Sequence, residues 1–311
     1  MTMTATSPTE LKAMRRLPLG SAIADTITIA KRNLITLTRT PQLVVFSTIQ
    51  PIMFVLLFRY VFGGSISIPG MPYVDYLIPG IIVQTALFAG AAASIGMAVD
   101  SVSGIFDRFR SLPMARSAVL GGRTLADTVR ALFVILLMVF VGTLVGFRFH
   151  NGFIGGLAGI ALCLLFAFSF LWFFAFVGLS MRDPETAQVA SFLPIFPFVF
   201  ASSIFTVISN MPPWLQAFAR NQPITFVANA VRGLTQGAHF TCSQQLNKIM
   251  ENHSINVRVP GRNEFIGCDS IPKSLLPHVE STASYTIKAV LWMIVIVAIF
   301  APLAVRRYRK G

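Results

Sequence analysis

The run FIGGLAGIALCLLFAFSFLWFFAFVGLSM, residues 153–181, contains no Asp, Glu, Lys, Arg or His. A hydrocarbon core of about 30 Å is crossed by about 20 apolar residues at a rise of about 1.5 Å each. This run therefore predicts a membrane-spanning helix with length left over for tilt or an interfacial turn. Working outward, the same rule finds further windows at 42–62, 76–99, 125–147, 187–209 and 285–305. The window 187–209 carries Pro194 and Pro197, which remove helix hydrogen bonds and predict a kink or break. Over 311 residues, 54% are hydrophobic and only 12% charged, which excludes an ordinary soluble domain. The expected fold class is an all-α integral membrane protein with six transmembrane helices.

The basic residues set the expected orientation, because short cytoplasmic segments retain Lys and Arg during insertion. They cluster at Lys12, Arg15, Arg16, Lys31, Arg32 and Arg39, then at Arg108, Arg110, Arg116 and Arg123 after the second window, and at Arg182 after the fourth. The tail adds Arg306, Arg307, Arg309 and Lys310, whereas the first and third connections offer only Arg59 and Arg148. Both termini are expected to be cytoplasmic. The formal net charge of +13 then reads as a topology signal, with membrane lipids as counter-charge and no nucleic acid as partner. The first forty residues lack a compact apolar core followed by a cleavage site, so the first window is expected to stay as an anchor. Within residues 1–41, Ile23, Ile27, Ala30, Leu34 and Leu37 recur at helical spacing away from Lys31 and Arg32. That is the pattern of an amphipathic interfacial helix, with a plain basic flank as the alternative.

Between the second and third windows lies IFDRFRSLPMARSA, residues 105–118. Ile105, Phe106, Phe109 and Leu112 share one helical face, and Asp107, Arg108, Arg110 and Ser111 the opposite one. Such a helix can pack by one face and present charge by the other, with Pro113 ending it and Gly121-Gly122 supplying a bend. Thr124-Leu-Ala-Asp127 has the spacing of a capping box that opens the third span. The residues alone leave open whether these arginines bind a partner or only fix topology. After the fourth window, Asp183 followed by Pro184 has helix-start chemistry.

Five segments in order carry a family resemblance: FRSLPMARSAVLGGRTLAD (109–127), GFRF (146–149), RDPETAQ (182–188), MPPWLQAFARNQPI (211–224) and APLAVRRYR (301–309). As a set they resemble the type 2 permeases of ATP-binding-cassette exporters, in particular the daunorubicin and doxorubicin resistance branch of actinobacteria. The resemblance implies that the segment after the second span is a cytoplasmic coupling helix docking on a nucleotide-binding ATPase subunit. Phe106, Arg108, Phe109, Arg110, Pro113 and Arg116 would carry that contact, and Arg123, Thr124 and Asp127 would support its base. Arg182, Asp183 and Glu185 form a second candidate contact, or only a tight hairpin. A second permease chain is implied, identical or paralogous. The chain has no G-x-x-x-x-G-K-[ST], so no cofactor is expected on it, and ATP and Mg belong to the partner. The expected function is the permease subunit of an exporter of hydrophobic or amphipathic compounds, drug or lipid, in a bacterial plasma membrane.

The expected organisation is a cytoplasmic segment 1–41, a membrane domain 42–237 with an extracellular re-entrant region 211–234, an extracytoplasmic insertion 238–283, and a sixth span with basic tail over 284–311. The insertion is rich in Asn, Ser and Gln and holds Cys242 and Cys268, a disulfide pair if they meet. Cys163 falls inside the fourth window as a small apolar residue. Arg59, Asp75, Arg130 and Lys288 lie near window ends, where long side chains snorkel, which disfavours a proton relay. His150, His239, His253 and His278 show no ligand spacing, so no metal site is expected, and no catalytic constellation is found. Ser169, Ser202 and Ser203 read as helix-bonded hydroxyls. A membrane-embedded enzyme and a non-transporting scaffold are the alternatives.

Overall fold

A computed structural model describes residues 19–39, 41–64, 66, 68–110, 116–253 and 279–310, and among them every regular element is a helix. Helix α1 (Leu19–Arg39) precedes α2 (Pro41–Leu56), which continues as a π-helix over Leu57–Phe62. Then come α3 (Tyr73–Val102), the short α4 (Ile105–Arg110), α5 (Arg116–Val145), α6 (Gly152–Ser180) and α7 (Pro184–Phe200). A 3-10 turn at Ile208–Asn210 leads to the pair α8 (Pro213–Asn221) and α9 (Pro223–Gln236), followed by α10 (Ala238–His253) and α11 (Thr282–Lys310).

Four helices, Tyr73–Val102, Ser117–Val145, Gly152–Ser180 and Thr282–Tyr308, are long and apolar enough to cross a membrane. They match the second, third, fourth and sixth expected windows, and α6 runs through without the interfacial turn its length allowed for. The first window changes pitch instead of staying α-helical, with Pro51 inside α2 and the π-turns after it. The fifth is cut short: α7 has 17 residues and stops at Phe200, and residues 201–206 continue as irregular backbone, buried at 202–205. Pro194 and Pro197 withdraw two donors from that helix, which weakens its continuation.

Helix α3 is the axis of the bundle, buried on nearly every side and packed against α5, α6, α7 and α9. Its residues are apolar on nearly every face, which suits a helix enclosed by other helices. Small residues set how closely its neighbours approach: a Cβ on Gly178 of α6 would run into the Ser94 backbone.

Two local readings are corrected. Helix α5 begins at Arg116, so Thr124 and Asp127 sit inside it and form no capping box. Asp127 turns instead to Arg123, one turn back, and among the described residues the Thr124 hydroxyl has no hydrogen-bond partner. Gly121 and Gly122 do not bend the chain, because continuous helical hydrogen bonding outweighs the weak propensity of two glycines. Their smallness brings α1 against α5, where a Cβ on Gly122 would lie 2.6 Å from the Thr26 carbonyl oxygen. On α1 itself, Ile29 and Ala30 face the bundle while Ile23 and Ile27 are exposed. The apolar stripe is thus divided between α5 and the outside.

The stretch 238–283 opens with a helix, α10, whose Phe240, Ser243 and Leu246 are buried. Cys242 on α10 is disulfide-bonded and Cys163 is free. Cys268 lies outside the described residues, as do Pro113, His278 and the basic residues before Leu19.

Candidate functional site

The short helix α4 hangs from the end of α3 through Gly104, whose φ of +70° is the left-handed value that glycine adopts without a Cβ penalty. Its Phe106 points inward, 4% exposed, into a small core with Ile29, Met97, Val119, Leu120 and Tyr308. The Phe106 and Tyr308 rings meet edge to face, with centroids 5.2 Å apart and planes at 90°. Perpendicular aromatic pairs are favoured by their quadrupoles and contribute about 0.5–1.5 kcal/mol beyond area burial. Phe106 therefore anchors α4 from within and offers no surface to a partner in this arrangement.

Arg108 is exposed on the other face of α4. Phe109 is half-buried, and the guanidinium of Arg32 from α1 lies 5.1 Å from its ring centroid. Two other chain segments thus meet these six residues of helix: α1 by Arg32 and α11 by Tyr308. The backbone of Arg110 ends α4 and that of Arg116 begins α5; Pro113 between them is outside the described residues.

Beneath α4 sits an ion cluster. Arg123 of α5 bonds Asp100 of α3 and, through Nε at 3.3 Å, Asp127 of its own helix. Asp127 is 7% exposed in its side chain, and Asp100 and Arg123 are about one-fifth exposed. Gly96 makes room for this, since a Cβ there would collide with the Arg123 guanidinium. A partly buried Arg flanked by two carboxylates is satisfied on both sides and locks α3 to α5 just below the foot.

The second expected contact lies at the same end, because Trp172, Phe176 and Leu179 of α6 pack on the Phe106 core shortly before Ser180. Asp183 caps α7: its Oδ1 accepts from the Thr186 amide at 2.7 Å, and its Oδ2 from the Thr186 hydroxyl at 2.7 Å. Those two bonds, the backbone one foremost, hold the Asp183 carboxyl below the usual carboxylate range. Arg182 and Glu185 are exposed beside it. Arg307 of α11 reaches the Leu179 carbonyl at 3.4 Å, so the chain's basic tail lies against this turn.

Sequence reading missed two polar clusters at the far end. Asp75, almost fully buried, accepts from the Arg148 amide at 3.2 Å and lies 3.8 Å from His150. His150 bonds Gln236 at 2.7 Å and its ring centroid is 4.5 Å from that of His239. The two histidines are far apart in sequence, so no spacing rule finds them; among the described residues no group of ligands suited to a metal ion forms. The other cluster surrounds Arg232, which is 0% exposed and lies 3.6 Å from the Tyr76 ring centroid. Ser203 belongs to this cluster, bonding the Asn229 side chain at 3.1 Å and not a helix carbonyl. A buried Arg inside the short polar stretch VANAVRGLTQ carries no sequence signal beyond its helical phase.

A family model described as ABC-2 type transporter matches residues 24–235. Among curated relatives, the "Daunorubicin resistance ABC transporter permease protein DrrB1" of Streptomyces coeruleorubidus is 32% identical over 229 residues, 74% of this chain and 81% of that protein. The "Probable doxorubicin resistance ABC transporter permease protein DrrC" of Mycobacterium tuberculosis is 25% identical over 216 residues, 69% of this chain and 78% of that protein. The "Doxorubicin resistance ABC transporter permease protein DrrB" of the same species is 29% identical over 185 residues, 58% of this chain and 63% of that protein.

Proposed function

The chain belongs to the ABC-2 type transporter family, and from that membership we propose how it works. It is a multi-pass membrane protein and the permease subunit of an ABC exporter. The working assembly is two permease chains with two nucleotide-binding ATPase subunits, in the plasma membrane, with six spans and both termini cytoplasmic. ATP and Mg are bound by the ATPase subunits. The cargo is a hydrophobic or amphipathic compound, drug or lipid, and the relatives' names, which mention daunorubicin and doxorubicin resistance, support the drug.

One observation carries the mechanism: Phe106 is locked against Tyr308 while Arg108, two residues on, is exposed. A foot fixed from within and charged without moves as one piece with α3, α5 and α11 when a partner displaces it. Arg108, Phe109, Arg110, Pro113 and Arg116 form the docking surface, Phe106 anchors it, and Arg123 with Asp100 and Asp127 braces it. Arg182 and Glu185 add a second contact at the start of α7. ATP-driven closure of the ATPase subunits then biases the bundle between two arrangements, since contacts that differ between states are what shift an equilibrium. Cys242 and Cys268 close the extracytoplasmic insertion as a disulfide.

The test is ATP-dependent movement of doxorubicin and of a fluorescent phospholipid in vesicles containing this chain and its ATPase subunit. Wild type is compared with Arg108→Glu and Phe109→Ala. Transport by wild type, lost in both variants at equal membrane levels, is the expected result. Failure of the ATPase to co-purify with wild type, together with immobility of both cargoes, overturns the reading.

A further inference from the structure

The cluster around His150 has no part in the coupling machinery described above. Residues 148–151, between α5 and α6, close the end of α9. The His150 and Asn151 amides both donate to the Thr235 carbonyl at 3.1 Å, and Asn151 Nδ2 donates to the Leu234 carbonyl at 2.9 Å. These bonds satisfy carbonyls that the end of a helix leaves open. Gln236 Nε2 donates to the Arg148 carbonyl at 3.0 Å, so its Oε1 accepts from His150 Nδ1 at 2.7 Å. His150 Nδ1 therefore carries a proton, and Nε2 is where a further one enters. Asp75 Oδ2 lies 3.8 Å from the same Nδ1.

Gly237, with a φ of +57°, marks the turn from α9 into α10. Beyond it α10 sets His239 against His150, ring centroids 4.5 Å apart. Both residues are exposed, so water carries protons to both rings. Helix α10 then runs over the connection that precedes α3: a Cβ on Gly70 would lie 2.9 Å from Leu246 Cδ1 and 3.4 Å from Cys242 Sγ. Ile68 and Met71 of that connection are buried. His239 is thus at the root of a helix that covers another segment.

Imidazole changes its charge between about pH 5 and 8. The charged groups facing the pair are Asp75 and Arg148, whose guanidinium donates to the Thr143 and Phe147 carbonyls at 3.3 and 3.4 Å. Where α11 approaches α10, Gln244 bonds the Tyr285 hydroxyl at 3.2 Å, and the Glu280 carboxylate is taken by Lys288. One proton on the pair is answered by Asp75. A second leaves two imidazolium rings in contact beside a single carboxylate, so the two rings titrate as a coupled pair. A charged His239 also sits in the first turn of α10, the helix end that disfavours cations. The seated pair binds fewer protons than the separated one, and its stability falls as pH falls. His150 is held by its amide and by Gln236, which leaves His239 as the ring that moves.

We propose that His150 and His239 form an acid-opened clasp at the root of α10. With at most one ring charged α10 stays seated; with both charged His239 withdraws and α10 pivots at Gly237. The clasp goes beyond the exporter reading, being defined by contacts within one chain. The side whose pH it senses, the extracytoplasmic one, rests on the orientation proposed above.

The experiment follows hydrogen exchange of the α10 amides by mass spectrometry in the full chain, held in phospholipid nanodiscs at about pH 7.5 and about pH 5.5. Labelling times are scaled for the intrinsic pH dependence of amide exchange. Wild-type α10 is expected to lose about tenfold in protection at the lower pH, about 1.4 kcal/mol of opening free energy, while α9 keeps its own. His239→Gln, a neutral change at an exposed position, is expected to hold α10 protection within about twofold over that range. His239→Arg fixes one charge, so α10 should open at a higher pH than in wild type, as His150 takes up its proton. Equal protection of wild-type α10 at both pH values overturns the proposal. So does an acid loss that persists in full in His239→Gln, or one that spreads equally to α9. In sealed right-side-out vesicles, acidifying the outside alone is expected to open α10. Opening that needs an acid lumen instead keeps the clasp and overturns the proposed orientation.

Discussion

Phe106 and Tyr308 lie about two hundred residues apart in the chain, yet their rings meet at right angles, 5.2 Å between centroids. This pair fastens the foot of one membrane helix to the last helix of the protein. Phe106→Ala is expected to destabilise the purified chain by about 3 kcal/mol, with Tyr308→Ala similar. The double variant should cost less than the sum, by about 0.5–1.5 kcal/mol, because the ring pair is lost only once. Thermal unfolding in detergent reads all three, and strict additivity would refute a direct pairing.

Arg108 makes the opposite prediction. It is exposed on the same short helix, so Arg108→Glu is expected to destabilise the purified chain by less than Phe106→Ala does. Retention of the ATPase subunit on the immobilised permease should nevertheless fall about tenfold, a loss of about 1.4 kcal/mol. Unchanged retention would remove Arg108 from the docking surface.

Arg123 answers two carboxylates at once. Arg123→Met removes the one cation that bonds both Asp100 and Asp127 and is expected to destabilise by about 3 kcal/mol. Adding Asp100→Asn and Asp127→Asn to Arg123→Met should recover most of that loss, since neutral groups carry no uncompensated charge. Denaturation midpoints of the single and triple variants decide it. No recovery would mean that Arg123 acts by packing and not by charge.

Asp183 provides a pH signature. Its carboxyl is depressed by the Thr186 amide and hydroxyl, so the cap contributes fully above the ordinary carboxylate range and is lost as pH falls through the folded value. Asp183→Asn keeps an N-cap acceptor and is expected to remove this pH dependence, and Asp183→Ala to remove the cap at every pH. Hydrogen exchange of the Thr186 amide across the acid range follows it directly. Protection that titrates equally in the Asn variant would refute the assignment.

The apolar windows at 76–99, 125–147, 153–181 and 285–305 were legible in sequence because a span is a property of one continuous segment: length and hydropathy suffice. The Asp183 cap was legible for the same reason, its partner being three residues away. Thr124 and Asp127 show the limit of local reading. Their spacing fits a cap, but the helix that contains them starts earlier, and Arg123 and Asp100 claim the carboxylate's surroundings. The shortened α7, the Arg232 junction and the meeting of His150 with His239 depend on segments that close on each other across long stretches of chain. The amino-acid sequence thus settled the membrane class, most of the helices and the family, all carried by contiguous residues. Which side chain anchors the foot, which one braces it and which cation is buried were settled by packing, because burial and pairing are relations between segments that no one segment contains.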